Sequence, residues 1–436
     1  MNDSAILKIL KFMKKAMSII KGQISRAPLT IEPLHSCKYP NEACEIYNGS
    51  IVVESYNADV CTIGCGNIIQ QWLPEPSIKY CMTKHKQISS MERAKINNKD
   101  YLSLGKSKST VTIHMQPISL CPTRKNSQPE HSSSTFSGAI EEPVIIGTDK
   151  PVQFVKFHIV NFNPYEGQGI RNSSKSRLWK GRIIICCDKW KITIDASEFF
   201  SKELREKLLS ESGYAITHVA QAEKLDGSPI SLSESDSLQD ALFYFLSFTQ
   251  GRWAPPILPA GYDETELITW KRINPWNSSW CATKWQDRGS WLPTLSTEGL
   301  IDTFPGFFAL WNEKSWKQPI SQAINWYIYG NLQQSGLNSS IIIAQACLEL
   351  FSWVIMFENG IVDKNTFNNH QKYNTTSKKI NRLLESFNIP QNIPHEFVSL
   401  KRFESGLKHS KNNGPYAIVE IRNSIVHASP ENRETY

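Results

Sequence analysis

The chain lacks the motifs on which many hydrolases and nucleotide enzymes are built. Its 436 residues contain no Gly-x-x-x-x-Gly-Lys-Ser/Thr loop, no His-Glu-x-x-His and no Gly-x-Ser-x-Gly. These absences leave out phosphate-loop chemistry, zincin hydrolysis and the serine elbow. Cysteine is sparse: ten residues make no disulfide framework, and reduced thiols are expected. Cys61 and Cys65 (CTIGC) stand close, but no second pair and no nearby His follows at zinc spacing, so no metal site and no cofactor is expected. Neither charge sign dominates; the net +7 is compatible with a polyanionic partner without requiring one. No apolar run is read as long enough for a signal-peptide core or a bilayer span, so the expectation is a cytoplasmic chain without stable membrane insertion.

What is present divides the chain into four parts. Residues 1–24 form a basic amphipathic helix, with Ile6, Leu10, Met13, Met17 and Ile20 at helical spacing among lysines. It packs on its own protein or lies on a membrane surface. Residues 25–196 are β-rich: 51–56, 109–115, 152–160, 181–187 and 190–196 carry β-branched and aromatic runs. A hairpin turns at Asp188-Lys189, and Cys186 and Cys187 point to opposite faces of its strand. A sandwich or a barrel-like domain fits this part, and 122–142 reads as an exposed loop. Residues 197–316 read as a mixed helical, Trp-rich connection, with helices at 197–210 and 237–248. Its tryptophans, interleaved with Arg252, Lys271, Arg272, Lys284 and Arg288, fill an interface, or stack on bases. Residues 317–436 read as an all-α bundle, with helices at 319–333, 338–357, 375–387, 394–408 and 415–428. The second of these is apolar nearly all round and is expected at the centre. The fold class is therefore α+β: a β-rich N-terminal part, then a helical bundle.

The last helix carries the chemistry. Arg422 and His427 are five residues apart, about 140° in projection on an undistorted helix. They converge only where the helix ends near His427, which Pro430 favours. Arg422 forks hydrogen bonds to a phosphate, His427 moves protons near neutral pH, and Asn423 orients either group. These are the parts for RNA transesterification, with a base, a phosphate-binding cation and donors for the developing charge. Lys401, Arg402, Lys408 and Lys411 form a basic run just before the motif that guides RNA or faces solvent.

Arg422, Asn423 and His427 resemble the signature of the HEPN superfamily. The upstream AQACLELF resembles the HEPN helix that carries an acidic residue, which here is Glu349. Trp179-Lys180-Gly181, Trp190, LSFTQGRW at 246–253 and Trp326-Tyr327 are similar to the ApeA-like bacterial subgroup. The resemblance implies a metal-independent endoribonuclease in anti-phage defence or abortive infection. It implies RNA, tRNA among the candidates, as substrate and a homodimer or higher homo-oligomer that pairs Arg-His motifs. The β-rich part would sense a phage-derived trigger or restrain the nuclease. The alternative is a non-catalytic HEPN module for dimerisation or nucleotide binding, with a β-rich ligand-recognition domain. Nine residues follow His427, fewer than the further helix such bundles carry. Completion then falls to the earlier helices or a second protomer, or the chain is clipped.

Overall fold

β-branched and aromatic runs become strands wherever one face is buried. The computed structural model describes residues 27–55, 60–93, 102–107, 109–112, 135–140, 142–174, 177–274, 282–286, 297–332, 336–358, 360–406 and 413–427. The expected basic helix at 4–22 and most of the loop at 122–142 lie outside these residues, as do Lys408, Lys411, Trp276, Trp280 and Trp291. The chain divides into two units, Met1–Phe307 and Phe308–Tyr436.

The first unit holds two sheets. Strands β1 (Cys44–Ser55), β2 (Val60–Gln71), β3 (Ser77–Ser89), β4 (Leu102–Ser107), β5 (Ser109–Thr112) and β6 (Thr135–Ala139) form a six-stranded sheet in the order β4-β1-β2-β3-β6-β5. β1, β2 and β3 are an antiparallel meander, and β4 lies parallel to β1. Strands β7 (Val144–Gly147), β8 (Phe154–Val160), β9 (Gln168–Arg171), β10 (Leu178–Cys187), β11 (Trp190–Ala196), β12 (Ile216–Lys224), β13 (Pro256–Tyr262) and β14 (Ile268–Ile273) form the second sheet. It has eight strands in the order β7-β14-β13-β8-β12-β11-β10-β9. Both orders are open-ended, so the part is two sheets rather than a closed barrel. Ile51, Ile68, Trp72 and Tyr80 of the first sheet share one core with Val160, Ile216, Ile257 and Ile273 of the second.

The hairpin at β10 and β11 forms where expected: Cys187 pairs with Trp190, and Asp188 takes φ 49° in the turn. Cys186 is exposed and Cys187 buried, as strand alternation requires. Cys61 and Cys65 both sit on β2, about 13 Å apart along an extended strand, too far to share a metal.

The sheet runs across the 196/197 boundary drawn from pattern, because β12, β13 and β14 come from the supposed connection. Two helices of this stretch start later or earlier than their patterns indicate. α1 (Lys202–Glu211) is capped by Ser201, whose Oγ accepts the Leu204 amide. α2 (Leu232–Gln250) opens with a full capping box, Ser231 and Glu234, which satisfies two orphan donors. It ends at Gly251 with φ 64°, a left-handed cap that favours glycine.

Past that cap, Arg252 is buried at 1% exposure. Its Nη1 donates to Gln286 O at 2.7 Å, and its Nη2 to Asn161 O at 3.1 Å and Asn163 Oδ1 at 2.7 Å. The guanidinium lies 5.2 Å from the Trp285 ring centroid. Trp253 stacks on Phe243 at 5.1 Å, and Trp270 is fully buried. Trp253, Trp270 and Trp285, the described tryptophans of the Trp-rich stretch in this unit, are thus core residues, not an exposed platform for bases.

Three histidines are held neutral. His158 Nε2 accepts the His35 amide at 3.0 Å, so its other nitrogen, 3.3 Å from Leu258 O, carries the proton. Burial pushes His158 and His218 down to about 3 and His35 to about 4, with Lys271 adding to the effect on His35. All three folded values lie below the unfolded 6.5, so the unfolded chain binds more protons once the pH drops below 6.5. Their stabilisation is therefore complete above 6.5 and shrinks as the pH falls toward 4. Each fully buried ring should cost about 2 kcal/mol at pH 5. Urea unfolding should show a midpoint clearly lower at pH 5 than at pH 7.5. An unchanged midpoint would mean that these rings are not buried neutral.

The second unit is largely helical. α3 (Glu298–Asn312) contains the division between the units. After it come α4 (Lys314–Leu332), α5 (Gly336–Ser352), α6 (Lys364–Asn369), α7 (Thr376–Ser386), α8 (Val398–Gly406) and α9 (Gly414–Val426). α5 continues as a π-helical segment, Trp353–Glu358. α4 begins five residues before Pro319, where the missing amide costs one backbone bond instead of opening the helix.

Two expectations about the apolar helix need correction. Within α5 and its π-helical continuation, only Gln345, Ser352, Val354 and Met356 are fully buried, so this helix is not a fully enclosed core helix. α4, α7 and α9 pack on it, yet Ile341, Ile342 and Ile343 remain half-buried and Ala344 exposed. Gly336–Glu358 is also 23 residues long with an 18-residue window of mean hydropathy 1.9, long and apolar enough by composition to cross a membrane. The helix expected at 338–357, taken from its pattern to fall short of a bilayer span, thus reaches that length. Its Glu349, hydrogen-bonded in mid-helix to α7, argues for a place within the helical unit.

Candidate functional site

α9 is positioned at its start. Asn413 Oδ1 caps it by accepting the Tyr416 amide, with Pro415 in the first turn, where proline needs no donor. Asn413 Nδ2 donates to Asn381 Oδ1 at 2.7 Å and to Gln391 Oε1 at 3.1 Å. Gln391 Nε2 donates to Asn381 O at 3.2 Å, and Asn381 Nδ2 to Ser377 O at 2.9 Å. This amide knot ties α9 to α7. Buried Pro415 and Ala417 complete the seat, and α9 also packs against α5 and α8.

Arg422 and Asn423 lie on the last turn. Arg422 Nη1 donates to Asn423 Oδ1 at 3.2 Å. Arg422 Nε is buried and has no hydrogen-bond partner among the described residues. The helix stops at Val426. His427 leaves it with φ −99° and ψ 73° while its amide still bonds Asn423 O at 2.8 Å. The imidazole is exposed. The helix end thus falls where convergence of Arg422 and His427 requires it.

Glu349 is placed differently from a direct partner of the motif. It is exposed on α5, and its carboxylate accepts Gln345 Nε2 at 3.1 Å and Thr376 Oγ1 at 3.2 Å. Its described hydrogen bonds go to α5 and α7, not to Arg422. Lys401 and Arg402 are exposed on α8, the helix that packs on α9.

A cleft of about 870 Å³ opens between α7, α9 and the turn before α7. Asn423 lines it together with Lys372, Lys378, Arg382, Tyr416 and Glu420. Sequence reading passed over these basic residues: Lys378 and Arg382 fall in the helix expected at 375–387 and Lys372 just before it, and no spacing marks them as one site. It also passed over Cys37 and Cys44, whose sulfurs lie 3.8 Å apart in the first unit's core.

Comparison with known proteins now places the chain. Residues 147–283 match the YopA central domain and residues 313–436 the YopA C-terminal domain. The chain carries both YopA domains. The YopA central domain takes in strands β8 to β14 with α1 and α2, and it ends at Thr283, whose carbonyl accepts Asn161 Nδ2 at 2.9 Å. The YopA C-terminal domain falls within the helical unit and includes the whole motif. The six-stranded sheet lies outside both. The chain is 25% identical over 298 residues to the SPbeta prophage-derived uncharacterized protein YopA of Bacillus subtilis (strain 168), a distant homologue. The match covers 68% of this chain and 64% of that relative, less than two thirds of its length. No solved structure matches the chain. The HEPN resemblance therefore rests on residues of this sequence, not on the family matches.

Proposed function

We propose that the chain is a metal-independent endoribonuclease of the HEPN type. The observation that carries this reading is the end of α9 at His427, which frees the imidazole from a helical direction about 140° away from Arg422. In this reading His427 takes the proton of a ribose 2′-hydroxyl. The 2′ oxygen attacks the adjacent phosphorus, and the 5′ oxygen leaves with a proton from solvent. The products are a 2′,3′-cyclic phosphate and a 5′-hydroxyl. Arg422 holds the charge that builds on the phosphate oxygens, and Asn423 orients Arg422 through the 3.2 Å bond. Glu349 acts as a positioning residue that joins α5 to α7 near the motif.

The same reading makes cellular RNA the substrate, the cytoplasm the place of action and a homo-oligomer the working form. The prophage origin of the B. subtilis relative suits a role in phage conflict, and we assign the activity to abortive infection with the β-rich unit sensing or restraining. A labelled single-stranded RNA should be cut, while the same sequence carrying 2′-O-methyl groups throughout should stay intact, because its nucleophile is blocked. Cleavage of the methylated strand would overturn the mechanism. Failure to cut either strand under every inducing condition would favour a binding module.

A further inference from the structure

We propose that the cleft between α7 and α9 is a subsite for a phosphate-bearing nucleotide of a single RNA strand, leading that strand to Asn423. The inference rests on the nuclease reading for its orientation, but its recognition chemistry stands on the cleft itself. A volume of about 870 Å³ is of the size that encloses an organic ligand, larger than a single anion needs. The walls are polar, and Lys372, Lys378 and Arg382 give them a cationic side.

Those three cations are engaged to different degrees. Lys378 Nζ donates to Gln371 O at 2.8 Å and Asn374 Oδ1 at 3.0 Å. Arg382 pairs with Glu385 at 2.6 Å, an exposed pair that a phosphate displaces at little cost. The exposed Lys372 amine makes no hydrogen bond among the described residues, so it is the first contact for a phosphate. Tyr416, half-buried on α9, offers a ring on which a base stacks. Glu420 offers acceptors to a base amine or a ribose hydroxyl.

The floor is rigid. The amides of Asn381, Gln391 and Asn413 are spent on one another, so they hold the cleft's shape rather than read the ligand. Asn423 belongs to both places, lining the cleft and holding Arg422. A strand seated on Lys372 and Tyr416 thus continues toward the motif.

The test is equilibrium binding of a fully 2′-O-methylated hexaribonucleotide, which 2′-hydroxyl attack cannot cut, to the full chain over a range of salt. Lys372→Ala with Arg382→Ala should weaken binding at least ~10-fold and lower the salt slope by about 1.4, at roughly 0.7 per lost phosphate contact. Tyr416→Ala should weaken binding on the order of 10-fold. Lys372→Arg should bind like wild type, and unchanged melting of each variant separates lost contacts from lost fold. Equal affinity and slope in the double variant, or no binding by wild type, would overturn the subsite. Weakening only on Lys401→Ala with Arg402→Ala would move the RNA path to α8 and also overturn it. Cleft-dependent binding without RNA cleavage would keep the subsite and sink the nuclease reading; cleavage that ignores the cleft variants would do the reverse.

Discussion

Replacing Arg252 by alanine is expected to cost the first unit about 3–5 kcal/mol of stability. The guanidinium is buried, and it satisfies Gln286 O, Asn161 O and Asn163 Oδ1 with bonds of 2.7, 3.1 and 2.7 Å. Alanine leaves these acceptors without their donor and opens a void beneath Trp285. The loss spreads because Asn161 is itself a hub. Its Oδ1 accepts the Ala215 amide at 3.0 Å, and its Nδ2 bonds Gly213 O at 3.1 Å. Lysine should recover only part, since a point charge cannot reproduce the planar fork. Urea unfolding followed by tryptophan fluorescence measures the change, with Trp285 as a local reporter. A loss below about 1 kcal/mol would place Arg252 among ordinary surface substitutions and contradict the knot.

Arg422→Ala should lower RNA cleavage by about 10²–10³-fold, the usual effect of losing a charge-stabilising donor. Arg422→Lys should restore little, because the phosphate is held by two parallel donors in the proposed geometry. His427→Ala should fall further, by about 10²–10⁴-fold, as for a lost general base. Neither substitution should change stability by much more than about 1 kcal/mol, since His427 is exposed and Arg422 only half-buried. Single-turnover rates and melting temperatures on the same preparations separate chemistry from folding. Full activity in Arg422→Lys would mean that the arginine supplies charge alone.

Much of this fold is legible in local pattern, and the parts that are not share a cause. The hairpin from Leu178 to Ala196 shows itself because its alternation and its turn agree. β13 does not: PILPAGY carries two prolines, which argue against a strand, and all seven residues are buried, so no alternation remains to read. β12 reads as ITHVAQAEK, whose Ala, Gln and Glu suit a helix. Only its pairing with β8 and β11 makes it a strand. The helical unit was visible as a class, yet the partial burial of α5 was not, because composition does not say which neighbours cover a face.

The site divides in the same way. Arg422, Asn423 and His427 are close in sequence, and the Asn413 cap fixes where their helix starts. Lys372, Arg382 and Tyr416 meet Asn423 only through packing of α7 on α9, and no spacing announces that. Cys37 and Cys44 are seven residues apart and touch only because the chain folds back at the start of β1.

The most direct test of the central claim is incubation of purified wild type and His427→Ala with total tRNA in excess EDTA, followed by end-group analysis. The account predicts cuts by wild type only, each leaving a 2′,3′-cyclic phosphate and a 5′-hydroxyl. Equal cleavage by both proteins, or wild-type products ending in a 3′-hydroxyl and a 5′-phosphate, would contradict it.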